Sequence, residues 1–269
     1  MSCIFNLNAT NHHKCSRRPS RSTRYRYRPF SNPTYLVRST LYPRLYSSSW
    51  LTTIRSVPPN CTFEVDDAED EWIYKTPFQY IHARAILSCF STPKDVIQSA
   101  YDALAPGGYL EFQDPVIPMK WVTPPPPDCA FVKWNQLSVE ASNAGGRAWN
   151  NVQHYSRWFS EVGFEDVHEE TFFLANGPWP EGETDEAKVQ RMVGIWQREN
   201  LLEGLEGMTV KNLARIGWEP EESKVLIAQV REELNAITPG SSYKPYNDVV
   251  SVWGRKPLGK GKDVMDESA

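Results

Sequence analysis

Three short runs in this chain end on residues able to hold or move protons and charge. Cys61-Thr62-Phe63-Glu64-Val65 alternates apolar and polar residues and runs into Asp66, Asp67 and Ala68. Phe78-Gln79-Tyr80-Ile81-His82 brings His82 and, two residues on, Arg84; Tyr109 to Asp114 closes on Gln113 and Asp114. In an open parallel sheet, ligands sit outside the carboxyl ends of the strands, so residues just past each strand are the ones placed to do chemistry. An acidic group there can accept a hydrogen bond from an adenine amine or a ribose hydroxyl. His82 and Arg84 could contact an anion or take part in proton transfer. Blander readings stay open for each: a solvated acidic loop over residues 66–71, and a hydrogen-bonded structural histidine. Trp72, Trp121, Trp134, Trp149 and Trp158 could shield a cation, though core packing is the commoner use of tryptophan. There is no Ser-His-Asp order on a strand-turn-helix elbow, no P-loop and no H-E-x-x-H, which argues against hydrolase, NTPase and metalloprotease chemistry.

The elements that must position these residues alternate between strand and helix. After the strand at 61–65 and the one at 78–82, Thr92-Pro93-Lys94-Asp95 starts a helix, with Thr92 as N-cap and Pro93 at its first position. That helix runs to about Leu104, with Val96, Ile97, Ala100, Tyr101 and Leu104 on one face, and Ala105-Pro106-Gly107-Gly108 ends it before the strand at 109–114. Four prolines, Pro124 to Pro127, mark a loop or hinge. Helical patterning returns over 129–144 and 152–162, a strand is expected over 165–173, and helices over 186–202, 209–216 and 221–237 precede a closing strand at 248–256. Strand, helix, strand in succession predicts an α/β fold with a largely parallel sheet.

The 269 residues carry a formal charge of −4, which hides a division. Residues 1–63 hold ten Lys/Arg and no acid, so the remainder carries 19 basic against 33 acidic residues. The densest basic run is Arg17-Arg18-Pro19-Ser20-Arg21-Ser22-Thr23-Arg24-Tyr25-Arg26-Tyr27-Arg28. Residues 1–56 therefore read as a separate leader, disordered or foreign to the fold, with an organellar presequence or a nucleic-acid patch as alternatives. Within it, 34–42 and 50–57 could still form strands. No stretch approaches the roughly 18 apolar residues of a membrane span, so a soluble, cytoplasmic or nuclear protein is expected. Five cysteines without a C-x-x-C pair predict thiols rather than a zinc site or disulfide framework.

Val57-Pro58-Pro59-Asn60 through Trp72, Phe78 through Arg84, and Pro106-Gly107-Gly108-Tyr109-Leu110-Glu111-Phe112-Gln113-Asp114 together resemble a known family. They are similar to the fungal class I S-adenosylmethionine-dependent methyltransferases that include the global regulator of secondary metabolism. Gly177-Pro178-Trp179-Pro180 and Trp253-Gly254-Arg255-Lys256-Pro257 are similar as well, and the likeness runs over residues 57–257. It implies a Rossmann-like sheet of seven strands, antiparallel only at its last, with helices on both faces, a helical cap around 129–237 and a polar tail from 258. The implied cofactor is S-adenosylmethionine, bound by Asp66, Asp67, Ala68, His82 and Arg84, with Asp67 and Ala68 bordering the adenine and His82 and Arg84 near the methionine end or the acceptor. The acceptor would be a small secondary metabolite or a protein. Methyl transfer from a sulfonium is an in-line displacement that depends on positioning, so the resemblance implies no dedicated catalytic residue.

The chain departs from that pattern at its front. The family opens with a strand ending in an Asp-x-Gly-x-Gly-x-Gly loop, whereas no glycine precedes Gly107 here, and Gln79 stands where the family usually has Asp. Glycine lets the backbone take positive φ and approach an anionic ligand at a helix start. The sheet is thus expected to lack its first strands and the chain to bind its donor poorly. An inactive homologue serving as a binding partner in a regulatory complex is the alternative.

Overall fold

The computed structural model describes residues 3–7, 35–39, 61–64, 66–87 and 89–259, the first three segments as backbone only. The basic run at 17–28 and the strand expectation at 50–57 lie outside these residues.

Among the described residues a single mixed sheet holds eight strands: β1 (Cys3–Leu7), β2 (Tyr35–Ser39), β3 (Cys61–Glu64), β4 (Phe78–Arg84), β5 (Leu104–Pro115), β6 (Lys120–Trp121), β7 (Glu165–Ala175) and β8 (Pro245–Arg255). Their order is β3-β2-β1-β4-β5-β8, with β6 and β7 both paired to β8. β2 runs parallel to β3 and β4 to β5, while β8 is antiparallel to β5 and β7. Two segments from the first 56 residues therefore occupy the slots between β3 and β4, and Tyr35–Ser39 falls inside the strand expected over 34–42. β1 is antiparallel to both its neighbours, unlike the parallel strand the resemblance implies at that place.

The described residues also form five α-helices: α1 (Pro93–Ala103), α2 (Ala130–Ala144), α3 (Tyr155–Val162), α4 (Asp185–Leu213) and α5 (Pro220–Asn235). Of the helices implied on both faces of the sheet, α1 and α3 cover one, burying Val96, Ile97, Tyr155 and Phe159 against Ile81, Leu110, Phe112 and Val252. A second core joins α2, α4 and α5 through Phe131, Trp134, Leu205, Leu213, Val230 and Leu234. In sequence α3 and β7 fall between α2 and α4, yet both belong to the sheet layer. Among the described residues no helix is long and apolar enough to cross a membrane.

The two helices expected over 186–202 and 209–216 are largely one. Gly204 and Gly207 each cost about 1 kcal/mol in a helix interior. Leu201, Leu205, Thr209 and Leu213, four residues apart and all buried, carry the helix through them by packing. Gly194 is needed for a different reason, because a Cβ there would lie 2.1 Å from the carbonyl oxygen of Gly177. Gly194→Ala should lower stability by about 1–3 kcal/mol, since backbone must move away from backbone. A melting temperature equal to that of the parent would show that α4 shifts at no cost.

Candidate functional site

Two of the three strand exits singled out in the sequence are structured around carboxylates rather than left open. Past β3, the amide of Asp67 donates to Asp66 Oδ1 at 2.9 Å and that of Glu69 to Asp67 Oδ1 at 3.0 Å, so the two aspartates shape their own turn. Ala68 is packed into the sheet core, and its carbonyl accepts from Trp72 Nε1 at 3.0 Å. Glu69 reaches furthest. Its Oε1 accepts from the amides of Ser91 (2.7 Å) and Thr92 (3.2 Å), and its Oε2 accepts from Arg147 Nη2 at 3.0 Å. Burial raises its pKa, but the bonds from Ser91 and Thr92 and the charge of Arg147 outweigh that and leave it lowered. Thr92 does stand at the N-cap of α1 but makes no side-chain capping bond. The carboxylate of Glu69 meets the orphan amides there instead, at the positive end of the helix dipole. The acidic loop is thus partly a clamp.

At the exit of β4 a buried carboxylate holds the chain. Asp114, at the end of β5, is 1% exposed. Its Oδ1 accepts from the Ile86 amide at 2.7 Å and its Oδ2 from the Tyr155 hydroxyl at 2.8 Å. The amide of Leu87 also turns toward it, while that of Ala85 donates to the Gln113 carbonyl at 3.0 Å. Ala85 adopts φ 55°, a left-handed conformation that an alanine takes only when its surroundings impose it. Burial pushes the Asp114 carboxyl up to about 7, against the hydrogen bonds that favour its charged form. The sequence placed Asp114 at the crevice by its position after a strand; the fold turns it inward, because residues 110, 112 and 114 share the face covered by α3.

The opposite face of β4, β5 and β8 is polar. His82 stands beside Glu111 in register, and Arg84 beside Gln113. Glu111 accepts from Tyr80 Oη, from Gln113 Nε2 at 2.6 Å and from Ser251 Oγ at 2.8 Å. Burial raises the Glu111 pKa, yet these three donors and His82 bring it below the usual carboxylate value. For His82 burial dominates and lowers the pKa, with Glu111 and Gln113 opposing and Arg84 adding to the fall. No pattern in the sequence marked Glu111 or Arg147, whose partners lie up to 140 residues away.

These groups do not converge on one point. β2 and β1 separate the exit of β3 from that of β4, about 14 Å at roughly 4.8 Å per strand step. Asp66, Asp67 and Ala68 therefore stand at one end of the carboxyl edge, and His82 and Arg84 at the other. Between them β1 runs backwards, so its first residue, Cys3, is the one paired with Arg84. A strand running with its neighbours would present its exit there. No grouping of three His, Cys, Asp or Glu able to hold a metal occurs among the described residues.

A family described as a methyltransferase domain matches residues 20–169, beginning inside the basic leader. The chain is 29% identical over 210 residues to the probable methyltransferase tdiE of Emericella nidulans, covering 76% of this chain and 62% of that protein. It is 31% identical over 178 residues to the methyltransferase pytC of Aspergillus terreus, covering 65% and 53%. With the secondary metabolism regulator LAE1 of Cochliobolus heterostrophus it shares 26% identity over 184 residues, covering 66% and 58%. The chain thus spans between half and two-thirds of the length of these relatives. The family match covers more than half of the 269 residues, and with these fungal relatives it places the chain in the class I S-adenosylmethionine-dependent methyltransferases.

Proposed function

We propose that this chain is a methyltransferase of fungal secondary metabolism or its regulation whose donor site is only half built. It would bind S-adenosylmethionine weakly and methylate a small molecule or a protein slowly, if the donor is supplied in excess. The adenosine half has its elements. Asp67 sits at the exit of a parallel strand, and Asp66 and Ala68 flank it in a fixed turn. His82 and Arg84 stand about 14 Å along the same edge, within the reach of an elongated nucleoside bearing an amino-acid tail.

The half that should grip the charged tail is missing from the described residues. The observation that carries this reading is the direction of β1, which brings a strand start rather than a strand-to-helix turn to the slot beside Arg84. The nearest backbone amides are already engaged, that of Ala85 with the Gln113 carbonyl at 3.0 Å and that of Ile86 with Asp114 Oδ1 at 2.7 Å. Losing two amide bonds to a carboxylate removes roughly 3–6 kcal/mol, which is about two to four orders of magnitude in affinity. Titration calorimetry with S-adenosylmethionine should show no saturable binding in the micromolar range. A micromolar dissociation constant would overturn the claim of a half-built site while leaving the family assignment intact.

A further inference from the structure

Among the described residues, exposed apolar side chains such as Ile73, Val122 and Val225 stand singly. Four do not. Val189, Met192, Val193 and Trp196 on the first half of α4 are 59%, 55%, 36% and 69% exposed. Their spacing of i, i+3, i+4 and i+7 lines them up as one stripe of about two helical turns, near 10 Å long. Soluble surfaces seldom leave such a contiguous apolar patch without a use.

The helix cannot roll to bury the stripe. Gly194, on the other side, abuts the backbone of Gly177. Arg191 donates Nε to the Pro180 carbonyl at 3.0 Å and Nη2 to that of Gly182 at 2.6 Å. The start of the helix is fixed by Thr184, whose hydroxyl accepts from the Ala187 amide at 3.2 Å.

We infer that this stripe is a docking face for an amphipathic helix of another protein, one whose apolar anchors are flanked by Lys and Arg. The flanking charges on α4 select that occupant. Asp185 and Glu186 precede the stripe, Glu199 and Glu203 follow it, and all four are exposed. At 100° per residue, Asp185 and Glu203 fall in line with the apolar row itself. The nearby bases offset only part of this charge: Lys188 pairs with Glu183 at 3.6 Å rather than with the flanking acids, and Arg198 offsets Glu199 at 2.9 Å, which leaves Asp185 and Glu186 at one end and Glu203 at the other. A second copy of the chain fits poorly in either orientation. An antiparallel two-fold pair sets Asp185 and Glu186 against Glu199 and Glu203, and a parallel pair sets each acid against its own counterpart. A partner helix with basic ends meets opposite charge at both. Apolar anchors two turns long are what helix-in-groove recognition uses. Trp196, the most exposed of the four and the one able to accept a cation on its ring, is the expected hot spot. This inference stands apart from the donor-site reading, because none of its residues lies at the strand exits.

The test uses the full chain and two labelled synthetic helices with the same four-leucine stripe, one flanked by lysines and one by glutamates, read by fluorescence anisotropy at moderate salt. The lysine-flanked helix should bind at least tenfold more tightly than the glutamate-flanked one. Trp196→Glu should weaken it at least tenfold with no change in melting temperature, and Glu199→Lys with Glu203→Lys should narrow or reverse the preference. Equal binding of the two helices, or binding that survives Trp196→Glu, would overturn the inference. So would dimerisation of the free chain, seen by sedimentation, that Trp196→Glu abolishes, since the occupant would then be a second copy.

Discussion

Wild-type protein should lose stability relative to Asp114→Asn as pH rises from 4 to 7. The Asp114 carboxyl titrates at about 7 in the fold against an ordinary value of 3.8. Over that window the native state keeps a proton that the unfolded state gives up, so each pH unit removes up to about 1.4 kcal/mol of stability. The full swing is about 4 kcal/mol, complete below the unfolded pKa and gone once the native carboxyl ionises. Asparagine keeps the size of the side chain and an oxygen for the Ile86 amide, but does not titrate. Its denaturant midpoint should therefore lack this component, while shifts from other groups remain common to both proteins. The effect is large because Asp114 sits under α3 with Tyr155, whose own pKa is driven up by burial and by the neighbouring carboxyl. Midpoints measured at half-unit steps from pH 4 to 8 decide the matter. Parallel curves, or a wild type that gains on the variant as pH rises, would mean that the hydrogen bonds from the Ile86 amide and the Tyr155 hydroxyl hold the carboxyl ionised.

Phe112→Ala should cost about 3–5 kcal/mol, the range for deleting a buried aromatic side chain. The ring lies at the centre of β5, 1% exposed, with Tyr155 edge-on at 5.3 Å and Phe159 edge-on at 5.6 Å. β5 is hydrogen-bonded to β4 on one side and β8 on the other, so neither neighbour can close over the cavity without breaking a ladder. Ile73→Ala, at a residue 79% exposed, should change stability by less than about 0.5 kcal/mol and serves as the reference. A Phe112→Ala midpoint close to that reference would mean that α3 does not pack on the sheet as described.

Local patterns carried far in the sheet layer. Alternation marked β3 and β4 to within two residues, and Pro93 and Gly163 marked a helix start and a helix end, Gly163 taking φ 112° as a left-handed terminus requires. Signals failed where distant residues overrode them. Helices expected over 186–202 and 209–216 left a gap between them, yet burial of every fourth residue against α2 and α5 kept α4 whole. The start of α2 shows the same thing from the other side: its amides at Ala130 and Phe131 donate to Glu233 at 2.7 and 2.9 Å, an acceptor that lies a hundred residues downstream. Cys129 beside it is buried and hydrogen-bonded to Glu233 and Tyr243, and burial raises its pKa, in keeping with a structural thiol.

By itself the sequence determined the α/β class, the methyltransferase kinship and the lack of any early glycine, because each depends on residue type and short-range spacing. It also determined that Asp66 and Asp67 would follow a strand, whereas His82 and Arg84, expected just past one, lie inside β4, which runs on to Arg84. Only the tertiary structure decided that β1 runs against its neighbours, that Glu69 is spent on the start of α1 and that Asp114 faces the core rather than the crevice. The reason is physical: strand direction, burial and carboxylate partners are set by chain segments that meet from tens of residues apart, and nothing in local spacing encodes which segments those will be.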